Sequence, residues 1–279
     1  MQPLWSFSLQ AGPAGLALAR EKGSILAWDR AGWLYLLDPR GRCEAQRQFT
    51  DGLKSACCSD DGSARAAVST SGKAVWLGPD LATRWEQELP HPALAAALDP
   101  FGQYLAVAGD HGSLTILDHQ GKSVAAAESS RPLHHVTFVP AAPVVLGAAD
   151  YGLVAAFDLV GKLIWRAGVV AHVGTLAVSG DGDQIILACF SEGLQRYNLA
   201  GERLERVSAP ASCGVAAVSF DGKRILAGGL DGKLFVLDTT GQVLASQQLD
   251  KPAAALALGA LAKDAVVALP DGRILRLTL

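Results

Sequence analysis

The sequence predicts an all-β fold, a seven-bladed β-propeller made of four-stranded antiparallel blades. Three observations support this prediction. A unit of four apolar runs separated by turn signals is present, the unit recurs every forty residues, and an N-terminal strand completes the last copy. A period of this length, sustained along a whole chain, is typical of repeat architectures. No segment indicates a helix.

The clearest copy of the unit is residues 211–250. Its four runs are rich in Val, Ile, Leu and Phe, and they are separated by turns at Asp221-Gly222, Asp231-Gly232 and 238–241 (Asp-Thr-Thr-Gly). Such turns favour tight hairpins, because glycine supplies the positive φ and aspartate hydrogen-bonds to its own turn backbone. One unit is therefore predicted to be a four-stranded meander.

The period is clearest at the glycine of the turn between the second and third strands. This glycine recurs as Gly32, Gly72, Gly112, Gly152, Gly232 and Gly272. Only Glu192 interrupts the series, with Gly193 one place later, which predicts a bulge or a longer turn that pushes Phe190 outward. The repeats are placed at about 11–50, 51–90, 91–130, 131–170, 171–210, 211–250, and 251–279 plus 1–10.

The N-terminal segment is predicted to close the ring. Residues 4–9 form one strand, and Trp5 is in phase with Trp85 and Trp165 in the fourth strands of their repeats. The last repeat ends after its third strand, so pairing of the two chain ends would complete it and remove exposed sheet edges. We predict a single propeller domain spanning residues 1–279.

Composition narrows the classes of partner. Half of the residues are apolar and 18% are charged, less than the roughly 25% usual for soluble domains, which favours a large core and a surface partly covered by a partner. The formal net charge is −3 and no Lys/Arg cluster is present, so we expect no nucleic acid ligand. No run of 18 apolar residues occurs, so we expect no membrane insertion.

The cysteines and the N terminus predict a cytoplasmic location. Five cysteines make an odd number without paired spacing, and the start MQPLWSFSLQ lacks the basic and long apolar regions of a signal peptide. A reducing compartment is the expectation for such a chain.

The repeat S-x-D-G-x-x-x-L-A-x-G-x-x-D-G-x-L-x-x-L-D-x-x-G-x-x-L resembles the β-propellers of the WD-repeat and quinoprotein-dehydrogenase-like (PQQ-like repeat) superfamilies, over the whole chain. The ending of the fourth repeat, residues 158–165, is closer to the quinoprotein type. The Trp-Asp dipeptide that marks WD repeats occurs only at Trp28-Asp29, before a turn between second and third strands. The resemblance implies a propeller fold and, more often than an enzyme, a protein-binding platform. The enzymes among the quinoproteins are typically much longer and eight-bladed, so we expect no quinone or other cofactor.

Cys57 and Cys58 form a vicinal pair, and in quinoprotein dehydrogenases that resemble this repeat such a pair can form a disulfide over the cofactor. In the forty-residue phase, Cys57 occupies the position of Ala97 and Cys58 that of Leu98. The two cysteines are therefore interpreted as small core residues.

Histidines are the next candidate for chemistry. His134 and His135 begin the first strand of the fourth repeat, and His91 and His172 lie in the equivalent loops of neighbouring repeats. Three imidazoles within reach of one another would make a zinc site. No carboxylate accompanies them at matching phase, so we favour solvated or hydrogen-bonded histidines and predict no metal site.

Four aspartates lie in the turns between second and third strands, where a ring of carboxylates would attract a cation. They are Asp110, Asp150, Asp231 and Asp271. Hydrogen bonds from the turn backbone explain such residues, so we attribute them to turn chemistry.

The sequence contains no phosphate-binding Gly-rich loop, Ser/His/Asp order, His-Glu-x-x-His or Cys-x-x-Cys motif. We therefore predict a non-enzymatic scaffold that binds a protein partner within a larger cytoplasmic assembly. The alternative is an enzyme or small-ligand binder that uses the central channel, with Asp, His and Arg131 at its mouth.

The partner is expected on the face that carries the turns between second and third strands and the connections between repeats. The residues there that depart most from their forty-residue equivalents are His91, His111, Arg131, Tyr151, His172, Phe190, Glu192 and Lys251. Tyr151 and Phe190 are the predicted anchors, with Arg131 and Glu192 as a polar rim. The alternative for the two aromatics is that they pack on each other.

Overall fold

The computed structural model describes residues 1–279 and shows seven four-stranded antiparallel sheets without a helix. In six sheets the strands are consecutive in the chain, and in the seventh the first strand of the chain pairs with the last of the three C-terminal strands. The predicted all-β, seven-bladed propeller is confirmed. The structure accordingly contains no helix that could cross a membrane.

The blades are numbered in chain order, and their strands run from the innermost, which lines the central channel, to the outermost. Blade 1 contains β2 (Pro13–Leu18), β3 (Ile25–Asp29), β4 (Trp33–Leu37) and β5 (Cys43–Gln48). Blade 2 contains β6 (Leu53–Cys58), β7 (Arg65–Ser69), β8 (Lys73–Leu77) and β9 (Thr83–Glu88). Blade 3 contains β10 (Ala93–Leu98), β11 (Tyr104–Gly109), β12 (Ser113–Asp118) and β13 (Ser123–Glu128). Blade 4 contains β14 (His135–Phe138), β15 (Val144–Ala148), β16 (Val154–Asp158) and β17 (Leu163–Ala167). Blade 5 contains β18 (Val173–Val178), β19 (Ile185–Cys189), β20 (Gly193–Tyr197) and β21 (Arg203–Val207). Blade 6 contains β22 (Cys213–Val218), β23 (Ile225–Gly229), β24 (Lys233–Leu237) and β25 (Val243–Gln248). Blade 7 contains β26 (Ala255–Leu258), β27 (Asp264–Ala268), β28 (Arg273–Thr278) and β1 (Gln2–Ser8).

The chain ends close the ring as predicted. β1 pairs antiparallel with β28, from Gln2 opposite Thr278 to Ser8 opposite Arg273, with a register shift after Pro3. The strand begins two residues before the predicted start at residue 4. Blade 7 therefore has no unpaired outer edge at β28, which would otherwise offer a template for another chain.

The core lies between neighbouring blades. Second strands are buried on both faces, and one cluster joins Leu146 of blade 4 to Ile185 and Leu187 of blade 5. Another joins Ile25 of blade 1 to Val266 of blade 7, across the closure. Each blade therefore buries its apolar faces only by contacting both neighbours, so the stability of each blade depends on the blades beside it.

The turn glycines adopt the predicted backbone conformation. The values of φ are between +82° and +95° at Gly32, Gly72, Gly112, Gly152, Gly232 and Gly272. In blade 5 the left-handed residue is Gly193, with φ +69°, but Ala188 still pairs with Leu194 as Ala108 pairs with Leu114. The prediction of a bulge or longer turn there was wrong, because the turn keeps its length and only the position of the glycine moves.

Three tryptophans tie outer strands to the next blade. The indole Nε1 groups of Trp5, Trp85 and Trp165 donate to the carbonyls of Pro39, His119 and Leu199, at 3.0, 2.9 and 2.8 Å. Each indole lies over the glycine of an Asp-x-x-Gly or Asn-x-x-Gly turn, where a Cβ would overlap or crowd the ring. These contacts occur in alternate blades and explain why the tryptophans recur every eighty residues.

The turns between first and second strands are joined by backbone hydrogen bonds. Asp60 N donates to Pro100 O at 3.0 Å, and Gly180 N donates to Phe220 O at 2.7 Å. The series is interrupted between blades 3 and 4, because Pro100 has no N–H to donate to blade 4, and no such bond joins blade 7 to blade 1. An apolar groove opens at the interruption between blades 3 and 4.

Candidate functional site

All eight residues predicted to form the partner site lie on one face. We call this the upper face: it carries the turns between second and third strands and the connections between blades. The lower face carries the other two sets of turns. Seven of the eight residues lie along blades 3 to 5. One is Glu192, in the same turn as Phe190, and the other six are His91, His111, Arg131, Tyr151, His172 and Phe190. We call these six residues the arc.

The two predicted anchors are linked through His172. The rings of Tyr151 and His172 are 5.3 Å apart, and the backbone N–H of Phe190 donates to the His172 carbonyl at 3.2 Å. The Phe190 ring lies over Gly174 and Gly214, where a Cβ would come within 3.1 and 2.7 Å of it. Each aromatic therefore rests on other residues, and the alternative that the two merely pack on each other does not describe the contacts.

Both anchor side chains remain accessible. Tyr151 is 42% exposed and Phe190 is 41% exposed. Val170, in the connection between blades 4 and 5, is 79% exposed, and Leu230, in the turn of blade 6, is also exposed. Leu230 and Phe190 both flank Gly214. Tyr151, Val170, Phe190 and Leu230 thus form an exposed apolar patch across blades 4 to 6, which we call the upper patch.

Sequence reasoning missed two members of the upper patch. Val170 replaces Ser130 and Asp250 of other repeats, and Leu230 has the same phase as Phe190. The signal was available, since an apolar residue in a connection where most repeats carry polar ones is the same kind of departure that selected Tyr151.

The remaining predicted residues have separate surroundings. The Arg131 guanidinium crosses the turn of blade 4, where a Cβ on Gly152 would lie 2.9 Å from its Nε. Glu192 forms an ion pair with Arg206 of β21 at 3.0 Å. Lys251 lies in blade 7 with its Nζ 3.9 Å from Asp271, outside the arc. Arg131 and Glu192 therefore border the upper patch and Lys251 does not.

The four turn aspartates divide into two pairs. Asp231 and Asp271 accept the backbone N–H two residues on, at 3.0 and 3.2 Å, as predicted. Asp110 and Asp150 occupy the preceding position of the turn, and their carboxylates face histidines. Asp110 Oδ1 contacts His111 Nδ1 at 2.5 Å, and Asp150 Oδ1 lies 3.5 Å from His134 Nδ1. The attribution to turn chemistry was wrong for these two.

The histidines considered as zinc ligands do not converge. His172 contacts Tyr151, and His135 Nε2 faces the Val173 carbonyl at 3.2 Å. Burial lowers the pKa of His135. His91 instead lies against His111, with ring centroids 4.8 Å apart. The imidazole pair that the structure brings together is thus one that sequence phase did not indicate.

The central channel contains a cavity of about 330 Å³ that is lined mainly by hydrophobic residues of the first strands, although the surface exposed to it is mostly polar. At its lower mouth Arg20 forms a bidentate salt bridge with Asp60. Its Nε donates to Oδ1 at 2.9 Å and its Nη2 donates to Oδ2 at 2.8 Å. Cys57 is buried in the core as predicted, whereas Cys58 is only half-buried and lines the channel, and both are free thiols. Burial raises the pKa of the Cys57 thiol and raises that of Cys58 to about 12.

The groove on the lower face was not predicted. It is a cavity of about 300 Å³ between blades 3 and 4, lined by Phe101, Tyr104, Phe138 and the prolines on either side of the interrupted hydrogen-bond series. Phe101 is 70% exposed at its rim. The groove is an apolar feature of the lower face.

Comparison with known proteins gives a family. No curated protein matches the sequence. Residues 60–277 match a family model described as outer membrane protein assembly factor BamB, and this span covers most of the chain. Together with the seven blades and the Asp-x-x-Gly turns, the match shows that the chain belongs to this family of PQQ-like β-propellers.

Proposed function

We propose that this protein is a non-enzymatic scaffold that binds a protein partner through the upper face of blades 4 to 6. The observation that carries the proposal is the upper patch, whose four apolar side chains are exposed on neighbouring blades. Clustered exposed apolar residues with a polar border are typical of interaction surfaces. The family match supports a propeller that serves as a platform for other proteins.

The packing beneath the patch favours tight binding. Phe190 is seated over two glycines, and Tyr151 is stacked beside His172, so both rings are already held in place. An anchor that is ordered before association loses less side-chain entropy on binding. Arg131 and Glu192 border the patch and supply the polar rim that excludes water around such anchors.

The channel supports the alternative function, an enzyme or small-ligand binder, less well than the upper patch supports partner binding. Most of the residues that line it are hydrophobic, and the charged groups at the lower mouth, Arg20 and Asp60, neutralise each other. The raised pKa of Cys58 keeps its thiol protonated at neutral pH, whereas nucleophilic cysteines need a lowered pKa. These features favour partner binding on the upper face over a chemical reaction in the channel.

The experiment is a binding titration with the partner obtained by co-purification from native cells. Tyr151→Ala combined with Phe190→Ala should weaken binding by about 2 kcal/mol or more, roughly 30-fold in Kd. Phe101→Ala is the matched control, because it removes an exposed aromatic from the lower face. Unchanged affinity in a double variant with the wild-type melting temperature would refute the proposal, as would an equal loss in the control.

The family description supplies a second candidate for the assembly that the scaffold serves. A factor in outer membrane protein assembly would act outside the cytoplasm, whereas the five free cysteines favour the reducing cytoplasm that we propose. Fractionation of native cells separates the two. Recovery with cytoplasmic markers supports our proposal, and recovery outside the cytoplasmic membrane supports assembly of outer membrane proteins.

A further inference from the structure

We propose that His91, Asp110 and His111 form a binding site for a zinc-type divalent ion on the upper face of blade 3. One nitrogen of each histidine and one oxygen of the aspartate all lie within 4.8 Å of one another. His91 comes from the connection that enters blade 3, and the other two residues come from its turn between second and third strands. Two segments far apart in sequence thus deliver three ligand groups to one point.

The distances are close to those that a metal requires. In a tetrahedral zinc site the bonds are about 2.0–2.1 Å, which places ligand atoms about 3.3 Å apart. The ligand atoms must approach from within 4.8 Å, and we expect rotation of side chains to bring them together. The His111 side chain is 70% exposed and can rotate without displacing the core.

The carboxylate is available for this role. Asp231 and Asp271 are engaged by their own turn backbone, but Asp110 makes its side-chain hydrogen bond to His111. That contact places a negative charge beside two imidazoles that lie 4.8 Å apart. A cation that replaces the shared proton would satisfy all three groups at once.

The combination is specific to blade 3. At the position of His91 the other repeats carry Ala, Asp, Arg or Lys, and at the position of His111 they carry Ala, Ser, Tyr or Asp. Asp150 has the same phase as Asp110 but faces one histidine, His134. Folding of the repeat therefore does not account for the cluster.

The ligand types select the class of metal. Imidazole nitrogen with one carboxylate suits Zn²⁺ and neighbouring transition ions, whereas Mg²⁺ and Ca²⁺ prefer all-oxygen sites. Three protein ligands leave one position open, as in zinc sites that bind an additional group. The site lies at the end of the arc, but its occupancy does not depend on the proposed partner.

The test is titration of the chelator-treated full-length protein with Zn²⁺, by calorimetry and by equilibrium dialysis. One equivalent should bind, and Mg²⁺ in excess should not displace it. His91→Ala, Asp110→Asn and His111→Ala should each weaken binding at least about tenfold, since even indirect partners of a metal contribute that much. His119→Ala on the lower face and His172→Ala within the arc are controls that should bind as the wild type does.

A second measurement does not depend on the folding of variants. In nuclear magnetic resonance spectra of the wild type, one equivalent of Zn²⁺ should shift the imidazole signals of two of the six histidines. Lack of stoichiometric binding, wild-type affinity in the ligand variants, an equal loss in the controls, or shifts at all histidines alike would each overturn the proposal.

Discussion

At the scale of single residues, a shift of one position changes what an aspartate does. Asp231 stabilises its turn through the backbone N–H of Lys233, whereas Asp110, one place earlier in the repeat, contacts His111. The offset is visible in the sequence, because Asp110 and Asp231 occupy positions one residue apart within the forty-residue repeat. It is easily missed, because all four aspartates stand next to the same turn glycine or one residue from it.

Gly112 provides a test of the turn conformation. Its φ is +85°, and a Cβ there would lie unacceptably close to the Ser129 carbonyl. Gly112→Ala should therefore destabilise the protein by about 1–3 kcal/mol. Gly168→Ala is the control, because a Cβ at Gly168 meets no atom within 4 Å. Chemical denaturation measures both, and similar stabilities of the two variants would contradict the assignment.

Three serine–aspartate pairs predict how stability depends on pH. The hydroxyls of Ser59, Ser179 and Ser219 donate to the carboxylates of Asp61, Asp181 and Asp221, each at 2.6 Å. These bonds are the largest cause of a lowered pKa in each carboxyl group. The stabilisation is thus complete above the ordinary aspartate pKa of about 3.9 and is lost as the pH falls through the lowered values.

Replacing all three aspartates with asparagine isolates this contribution. The wild type should melt above the triple variant at pH 7, and the gap should narrow as the pH falls below about 4. Melting temperatures between pH 7 and pH 3 measure it. A gap that stays constant over this range would show that the three carboxylates do not act in this way.

At the scale of elements, the structure explains the eighty-residue recurrence of tryptophan. Trp165→Phe keeps an aromatic ring over Gly201 but loses the hydrogen bond to the Leu199 carbonyl, so it should cost about 0.5–1.5 kcal/mol. Trp33→Phe is the matched control, because no protein group accepts a hydrogen bond from its indole. Urea denaturation compares them, and an equal cost at both positions would argue against a role for the bond.

Strand order and turn positions were predictable because every blade repeats the same pattern in phase. The contacts between blades were not predictable in this way. The hydrogen bonds that join the lower turns are absent between blades 3 and 4, where Pro100 lacks an N–H, and the groove lies at that place. The proline is visible in the sequence, but its effect depends on a neighbour that only the ring supplies.

At the scale of the whole molecule, closure by β1 should control stability. Removing residues 1–9 leaves the outer edge of β28 unpaired and deletes Trp5, which bonds to blade 1. The shortened chain should aggregate or melt about 10 °C or more below the full chain, given roughly 2–4 °C per kcal/mol at this size. Equal melting temperatures would contradict the closure.

A circular permutant provides the control for this deletion. New ends at the 238–241 turn, with Leu279 joined to Met1 by one or two residues, keep every strand paired. Such exposed turns tolerate new termini. The permutant should fold and melt near the wild-type temperature.

The candidate site was only partly predictable at this scale. Tyr151 and Phe190 stood out because they depart from their repeats, and both lie on the upper face. His172 links them through one ring contact and one backbone bond, which arise where the connection of one blade meets the turn of the next. A linear sequence does not contain that proximity, and the meeting of His91 with His111 has the same origin.

The most direct test of partner binding through the upper face is hydrogen exchange of the full-length protein with and without the co-purified partner. We expect slower exchange in the backbone around Tyr151, Val170, Phe190 and Leu230, with the turns beside Phe101 unchanged. Protection confined to the lower groove near Phe101 and Pro140, with free exchange on the upper face, would contradict the account.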